Sequence, residues 1–175
     1  MKFSNHLLLL LVLVLSMFPS NSYSYSYDKS WYENPIRDHY YEINNKEQYE
    51  GLIQLINVDL VSFKNDTISI TNDLSLANLE SLNQFDGVLL GNSHTISDLT
   101  SPLIKTIENT GVVDAFEFDT SCSVSGGDKA GMVCGECNGI IKNCVNFGAV
   151  SNVFSEGHAF AGGICAVLQS GTILN

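Results

Sequence analysis

Basic side chains are scarce in this sequence: Lys and Arg number 8 against 19 Asp and Glu, a net charge of -11. A phosphate-binding surface needs clustered cations, so this balance argues against nucleic acid as a partner. Charged residues of both signs make up only 15% of the chain against 45% apolar residues, which argues against intrinsic disorder. Only one apolar run approaches bilayer-spanning length, and it lies at the N-terminus. The best later run, Ala159 to Leu168, is interrupted by Gly162 and Gly163. Familiar catalytic signatures are missing as well. No Gly-x-Ser-x-Gly, His-Glu-x-x-His or Walker-type loop occurs, nor the calcium-binding nonapeptide repeat. The length, 175 residues, suits one domain with a short appendage.

What is present begins with a targeting segment. Lys2 and His6 precede an almost pure Leu/Val run from Leu7 to Leu15, followed by Pro19 and the small residues Ser20, Ser22 and Ser24. Residues 1–22 are therefore expected to be a secretory signal peptide, cleaved after Ser22 or Ser24. The run is shorter than the ~20 residues of a membrane anchor, so no span is expected after cleavage. The mature chain would be secreted or held at the cell surface. Residues 23–41, opening Tyr-Ser-Tyr-Ser-Tyr, are expected to form a polar linker, although Tyr and Trp could also offer a carbohydrate-stacking strip.

Export sets the context for the cysteines. All five (Cys122, Cys134, Cys137, Cys144 and Cys165) fall in the last third of the chain, and an exported chain meets oxidising surroundings. Cys134-x-x-Cys137 with Cys144 has the look of a zinc site. Against it, no second Cys-x-x-Cys exists and His158 is the only imidazole nearby, so no metal is expected. The odd count leaves one thiol without a partner inside the sequence.

The chain then changes periodicity once. Asn44-Asn45-Lys46-Glu47-Gln48 has the residues of a capping box, and Tyr49, Leu52, Ile53 and Ile56 make one apolar stripe, predicting a helix within 42–58. After Asn57 the pattern is short alternating strands: Ile68 and Ile70, Leu74 and Leu76, Val88 to Leu90, Thr95 to Leu99. Gly, Asn, Asp and Ser punctuate them to the end of the chain.

An internal repeat organises these strands. Ala130-Gly131-Met132-Val133-Cys134 matches Ala161-Gly162-Gly163-Ile164-Cys165, and Gly139-Ile140-Ile141-Lys142-Asn143 matches Gly171-Thr172-Ile173-Leu174-Asn175. Gly111-Val112-Val113-Asp114 is a fainter earlier copy. Short Val/Ile strands with Gly and Asn at corners predict an all-β parallel β-helix over residues 59–175, with like residues in ladders ~4.8 Å apart. Glycine is expected at corners for its backbone freedom, and Asn for hydrogen bonds to nearby backbone. Cys134 and Cys165 share one ladder. Their separation suits a disulfide, but parallel side chains do not, so inward thiols acting as apolar filler are expected.

These motifs resemble the GLUG repeat. The likeness runs through Gly131-Met-Val-Cys134 and Gly139-Ile-Ile-Lys-Asn143-Cys-Val-Asn146-Phe-Gly148-Ala-Val150, with Cys134 where the repeat usually carries a second glycine. Tyr41 to Asn57 is similar to the capping helix of such proteins, and Phe85 to Leu99 to their first coils. The resemblance covers about residues 41–175 and implies a right-handed parallel β-helix in a secreted or surface-attached, adhesin-like protein. No catalytic residue is common to that family. Asn175 falls where the preceding copy continues, so the helix is expected to be incomplete at its C-terminus, with further chain beyond Asn175.

The alternative reading is an enzyme, the chain being the N-terminal part of a β-helix polysaccharide lyase or hydrolase. Lyase chemistry needs cations, yet Arg37 lies ahead of the helix and Lys105, Lys129 and Lys142 look scattered. Asp73, Asp86, Asp98, Asp114 and Asp119 read as turn formers rather than paired acids. His94 has no evident carboxylate or nucleophile beside it. Asn65-Asp66-Thr67 is the one glycosylation sequon. The expectation is a binding or structural protein, without catalytic residues or cofactor, presenting a rigid face to a glycan or protein surface.

Overall fold

The computed structural model describes residues 27–152 and 159–174. The expected signal peptide, the start of the linker, His158 and Asn175 lie outside the described residues.

The described residues open with a single helical turn, α1 (Ser30–Glu33), then β1 (Tyr40–Ile43) and the longer α2 (Lys46–Asn57). The linker expectation fails over this stretch. Trp31 is buried, donates its indole N–H to the Gln48 carbonyl at 3.2 Å, and packs with Tyr32, Tyr41 and Phe63 at ring separations of 5.7 to 6.3 Å. Aromatic pairs of this kind contribute about 0.5–1.5 kcal/mol each beyond burial. The Asp28 carboxylate accepts the Ser30 N–H at 2.8 Å and starts the turn. A composition that looks low in complexity thus hides an anchor.

Helix α2 begins where the box predicts. Asn45 Oδ1 accepts the Gln48 N–H at 2.9 Å, and Gln48 Oε1 accepts the Asn44 N–H at 2.9 Å. The helix buries Tyr49, Leu52, Leu55 and Ile56 in the core. At its C-terminal end, Asn57 donates to the Ser81 carbonyl and accepts the Asn83 N–H.

The rest is strand. β2 (Thr67–Ile70), β3 (Leu74–Ser75), β4 (Leu82–Phe85), β5 (Val88–Leu90) and β6 (Thr95–Ser97) come first. β7 (Ile104–Ile107), β8 (Val112–Asp114), β9 (Glu117–Phe118), β10 (Ser123–Ser125) and β11 (Lys129–Gly131) follow. β12 (Cys134–Cys137), β13 (Ile140–Lys142), β14 (Val145–Asn146) and β15 (Ala149–Ser151) lead to β16 (Phe160–Gly162), β17 (Cys165–Leu168) and β18 (Thr172–Leu174).

These strands form five sheets, and the pairs within them are parallel. The largest runs β1-β2-β5-β8-β13-β18; two four-stranded sheets run β4-β7-β12-β17 and β3-β6-β9-β14; β10-β15 and β11-β16 pair alone. Neighbours in space lie 21 to 32 residues apart in sequence, as in Thr67 beside Val88 and Ile140 beside Thr172. Gly131 lies beside Gly162 and Cys134 beside Cys165, as the repeat requires. The described residues are therefore mostly β, built from parallel sheets with two helices in front.

Side chains in equivalent positions form columns. Ile68, Leu89, Val113 and Ile141 occupy one register position of the large sheet and are fully buried. Full burial of each such side chain is worth roughly 1.5–3 kcal/mol. At the last described strand Ile173 continues this column but is exposed.

Glycines form a second column, for a reason other than backbone angle. Gly87, Gly111, Gly139 and Gly171 each precede a strand of the large sheet. A Cβ at each would lie 2.1 to 2.6 Å from a carbonyl oxygen of an earlier segment. None of the four has a positive φ. Close approach of backbones excludes the side chain here, whereas the left-handed positions fall to Asn78, Asn92, Asp98, Ala115, Asn143 and others. The Asn side chains also act as expected: Asn72 donates to the Asn44 carbonyl and Asn92 to the Ile70 carbonyl, tying neighbouring segments.

Candidate functional site

The outer face of the β4-β7-β12-β17 sheet positions the main candidate. In β4, β7 and β12 the first and last residues are buried, and the middle two are exposed or half-buried apart from Gly135. The outward positions align Gln84, Thr106 and Glu136, with Asn83, Lys105 and Gly135 beside them. The face is thus a set of polar ladders.

A loop between β10 and β11 turns this face into a cleft. Gly126 and Gly127 have φ of +81° and +76°, and neither would meet another atom within 4 Å if it carried a Cβ. Two successive left-handed residues strongly favour glycine. They form the lip of a cleft of about 490 Å³ lined by Ser101, Lys105, Thr106, Asp128 and Lys129, with Gly135 on its floor. A Cβ at Gly135 would lie 3.0 Å from the Lys105 carbonyl, so the floor stays flat.

Lys105 and Lys129, which look scattered in sequence, therefore meet at one cleft. Lys105 Nζ donates to Asn83 Oδ1 at 2.8 Å, and Lys129 is ion-paired with Glu136. Asp128 adds a further carboxylate. The cleft is a balanced mixture of donors and acceptors rather than a cationic patch, and it contains no aromatic ring. Such a lining can form hydrogen bonds to a hydroxyl-rich ligand.

The other candidates from sequence lie elsewhere. His94 does have a carboxylate beside it: Asp73 Oδ1 lies 3.2 Å from its Nδ1 and also accepts the Thr95 N–H at 2.8 Å. These contacts hold the Asp73 carboxyl below its ordinary range, the Thr95 N–H being the main cause. The remaining carboxylates are engaged in turns and ties. Asp86 accepts from Ser62 and the Phe63 N–H, Asp98 from Ser75, Asp114 from Asn143, and Asp119 from Ser121. Arg37 stands over the Tyr40 ring, and Lys142 pairs with Asp114, away from the cleft. Asn65 of the sequon is exposed in a turn with φ of 72°.

Among the described residues no group of three or more His, Cys, Asp or Glu is arranged to hold a metal ion. The cysteines instead face the interior. Cys122, Cys134, Cys137 and Cys144 are buried and Cys165 is partly exposed, all as thiols. Burial pushes the Cys144 thiol up to about 11 and raises that of Cys122.

No protein-family model matches the chain, and no curated protein matches it in sequence. Among solved structures it is similar to that of a putative immunoglobulin A1 protease from Bacteroides ovatus, at 19% identity and a TM-score of 0.53. The match covers 76% of this chain and 55% of the Bacteroides ovatus chain, so this sequence spans little more than half of that protein. At this identity the likeness concerns fold alone. No helix among the described residues is long and apolar enough to cross a membrane.

Proposed function

We propose that this chain is a right-handed parallel β-helix of GLUG-like repeats, exported to the cell surface or beyond, that binds a glycan without covalent chemistry. The observation that carries the binding reading is the cleft over β7 and β12, where Lys105, Thr106, Asp128 and Lys129 surround a flat glycine floor beneath a two-glycine lip. The parallel register at intervals of 21 to 32 residues supports the helical architecture. The apolar N-terminal run and its small-residue flank support export.

The ligand class follows from the lining. Lysine, serine, threonine and aspartate side chains offer both donors and acceptors, which match sugar hydroxyls. With charges nearly balanced and no ring to stack on, a neutral, hydroxyl-rich saccharide fits better than a nucleotide or an aromatic ligand.

Calorimetric titration with a panel of neutral oligosaccharides tests this. Binding that weakens at least tenfold in both Lys105→Ala and Lys129→Ala, with folding intact, is the expected result. No binding at millimolar ligand, or binding indifferent to both substitutions, would overturn it. The His94–Asp73 pair is the one observation favouring a carbohydrate-active enzyme. New reducing ends formed from a polysaccharide and lost in His94→Ala would establish that reading instead.

A further inference from the structure

The cleft forms where one chain segment lengthens. Leu82, Ile104 and Cys134 share a register position on β4, β7 and β12. Leu82 and Ile104 are 22 residues apart, whereas Ile104 and Cys134 are 30 apart. The longer segment holds β10, β11 and the two-glycine lip between them, which have no counterpart between β6 and β7. It brings Asp128 to a face where earlier segments contribute Ser81 and Thr106, so that these three line one cleft.

The polar side chains of the cleft are not equally free. Lys105, Lys129 and Ser101 are bonded already, to Asn83, Glu136 and the Leu79 carbonyl. Others, Ser81, Thr106 and Asp128 among them, have no side-chain partner within the described residues. Ser81 stands apart because it is also only 4% exposed. The other buried serine among the described residues, Ser69, accepts from Asn92. The Ser81 carbonyl accepts from Asn57, yet the Ser81 hydroxyl is unbonded. Buried hydroxyls are bonded in nearly all folded proteins, so one left open on a cleft wall marks a place for a ligand.

We propose that Ser81 and Asp128 grip opposite edges of one sugar ring, which lies across the strands with Thr106 between its two ends. This rests on the glycan reading above and adds which side chains select the sugar and how it is oriented. Ser81 stands on the segment leading into β4 and Asp128 on the one leading into β12, with β7 and Thr106 between them. Neighbouring strands are about 4.8 Å apart, so the rise from Ser81 to Asp128 is about 10 Å. Opposite hydroxyls of one pyranose ring, each about 2.8 Å from its partner oxygen, bridge a gap of about that size. The chemistry of the two ends differs. A carboxylate only accepts, so the hydroxyl at Asp128 must carry its proton, whereas Ser81 can donate or accept. A sugar blocked or lacking a hydroxyl at the Asp128 end is therefore rejected.

The test titrates the intact chain with glucose, galactose and mannose, and with monodeoxy derivatives of whichever binds, following amide shifts by nuclear magnetic resonance. In the parent chain, removing either of two hydroxyls on opposite sides of the ring should weaken binding at least about threefold. Ser81→Ala should abolish the effect of removing one of them, and Asp128→Ala the effect of removing the other. Neither substitution breaks a side-chain bond among the described residues, and circular dichroism checks that folding is intact. Hydroxyls that matter on one side of the ring only, or substitutions that mask the same hydroxyl or none, would overturn the proposal while the glycan reading stands. Binding confined to longer oligomers would do the same, and no saccharide binding at all would overturn both. The deoxy series on the parent chain decides even if a variant fails to fold.

Discussion

Gly139→Ala is the sharpest perturbation of this fold. The added Cβ would lie 2.1 Å from the Gly111 carbonyl oxygen and 2.5 Å from that of Glu108, both backbone atoms that cannot rotate away. Relief requires β13 to move away from β8 by roughly an ångström. That shift weakens the bonds from Ile140 N–H to the Gly111 carbonyl at 2.9 Å and from Asn138 N–H to the Ile107 carbonyl at 2.9 Å. Overpacking costs about 1–3 kcal/mol and each of the two weakened bonds up to about 0.5–1.5 kcal/mol, so the loss is about 2–6 kcal/mol. In a domain of this size each kcal/mol lowers Tm by about 2–4 °C, giving a fall on the order of 10 °C. The control is Gly163→Ala, where the nearest atom is Asn146 Nδ2 at 4.0 Å. Its φ is not left-handed, and the matching residue of the previous copy is Met132, so this change should be neutral to within about 0.5 kcal/mol. Urea and thermal unfolding followed by circular dichroism read both variants. Equal stability of the two alanine variants would refute the close-approach argument.

Three further outcomes follow from the same packing. Asn45→Ala removes the cap of α2 and should cost about 1 kcal/mol in urea unfolding, with Asn45→Asp recovering most of it. Val113→Ala empties part of the buried column between Leu89 and Ile141 and should cost about 1–3 kcal/mol, against little for Ile173→Ala at the exposed end. The carboxyls of Asp28, Asp73 and Asp119 lie below their ordinary value of 3.8, held mainly by Ser30, the Thr95 N–H and Ser121 respectively. A depressed carboxyl stabilises the fold above its unfolded value and loses that contribution as pH falls through the folded one. Thermal stability should therefore hold from pH 7 to about 5 and decline below about 4, a profile that scanning calorimetry measures.

Much of the architecture is legible because a repeat writes each contact twice. The pairing of Gly131 with Gly162, and of Ile141 with Ile173, follows from matching the two copies. Strands such as Val88–Leu90 stand out between their flanking glycines. Trp31 is hidden because its partners, Gln48 and Phe63, lie far along the chain from a stretch of Ser and Tyr. β1 escapes notice too, since Tyr40 to Glu42 are only half-buried and lack a clear alternation. The glycine columns are visible, but their cause is not: only the structure shows a carbonyl of the preceding segment where a side chain would sit. The cleft is the least legible feature. Lys105 and Lys129 are 24 residues apart and meet because β11, which carries Lys129, leads into β12, the parallel neighbour of the β7 strand that carries Lys105. His94 and Asp73 are brought together by the pairing of β3 with β6.

The central claim is in-register parallel pairing, and methyl-to-methyl nuclear Overhauser contacts measure it most directly. With Ile, Leu and Val methyls labelled, the account predicts contacts from Ile68 to Leu89, Leu89 to Val113 and Val113 to Ile141. A spectrum in which these four residues contact other partners, or Hα contacts between antiparallel strands in their place, would contradict it.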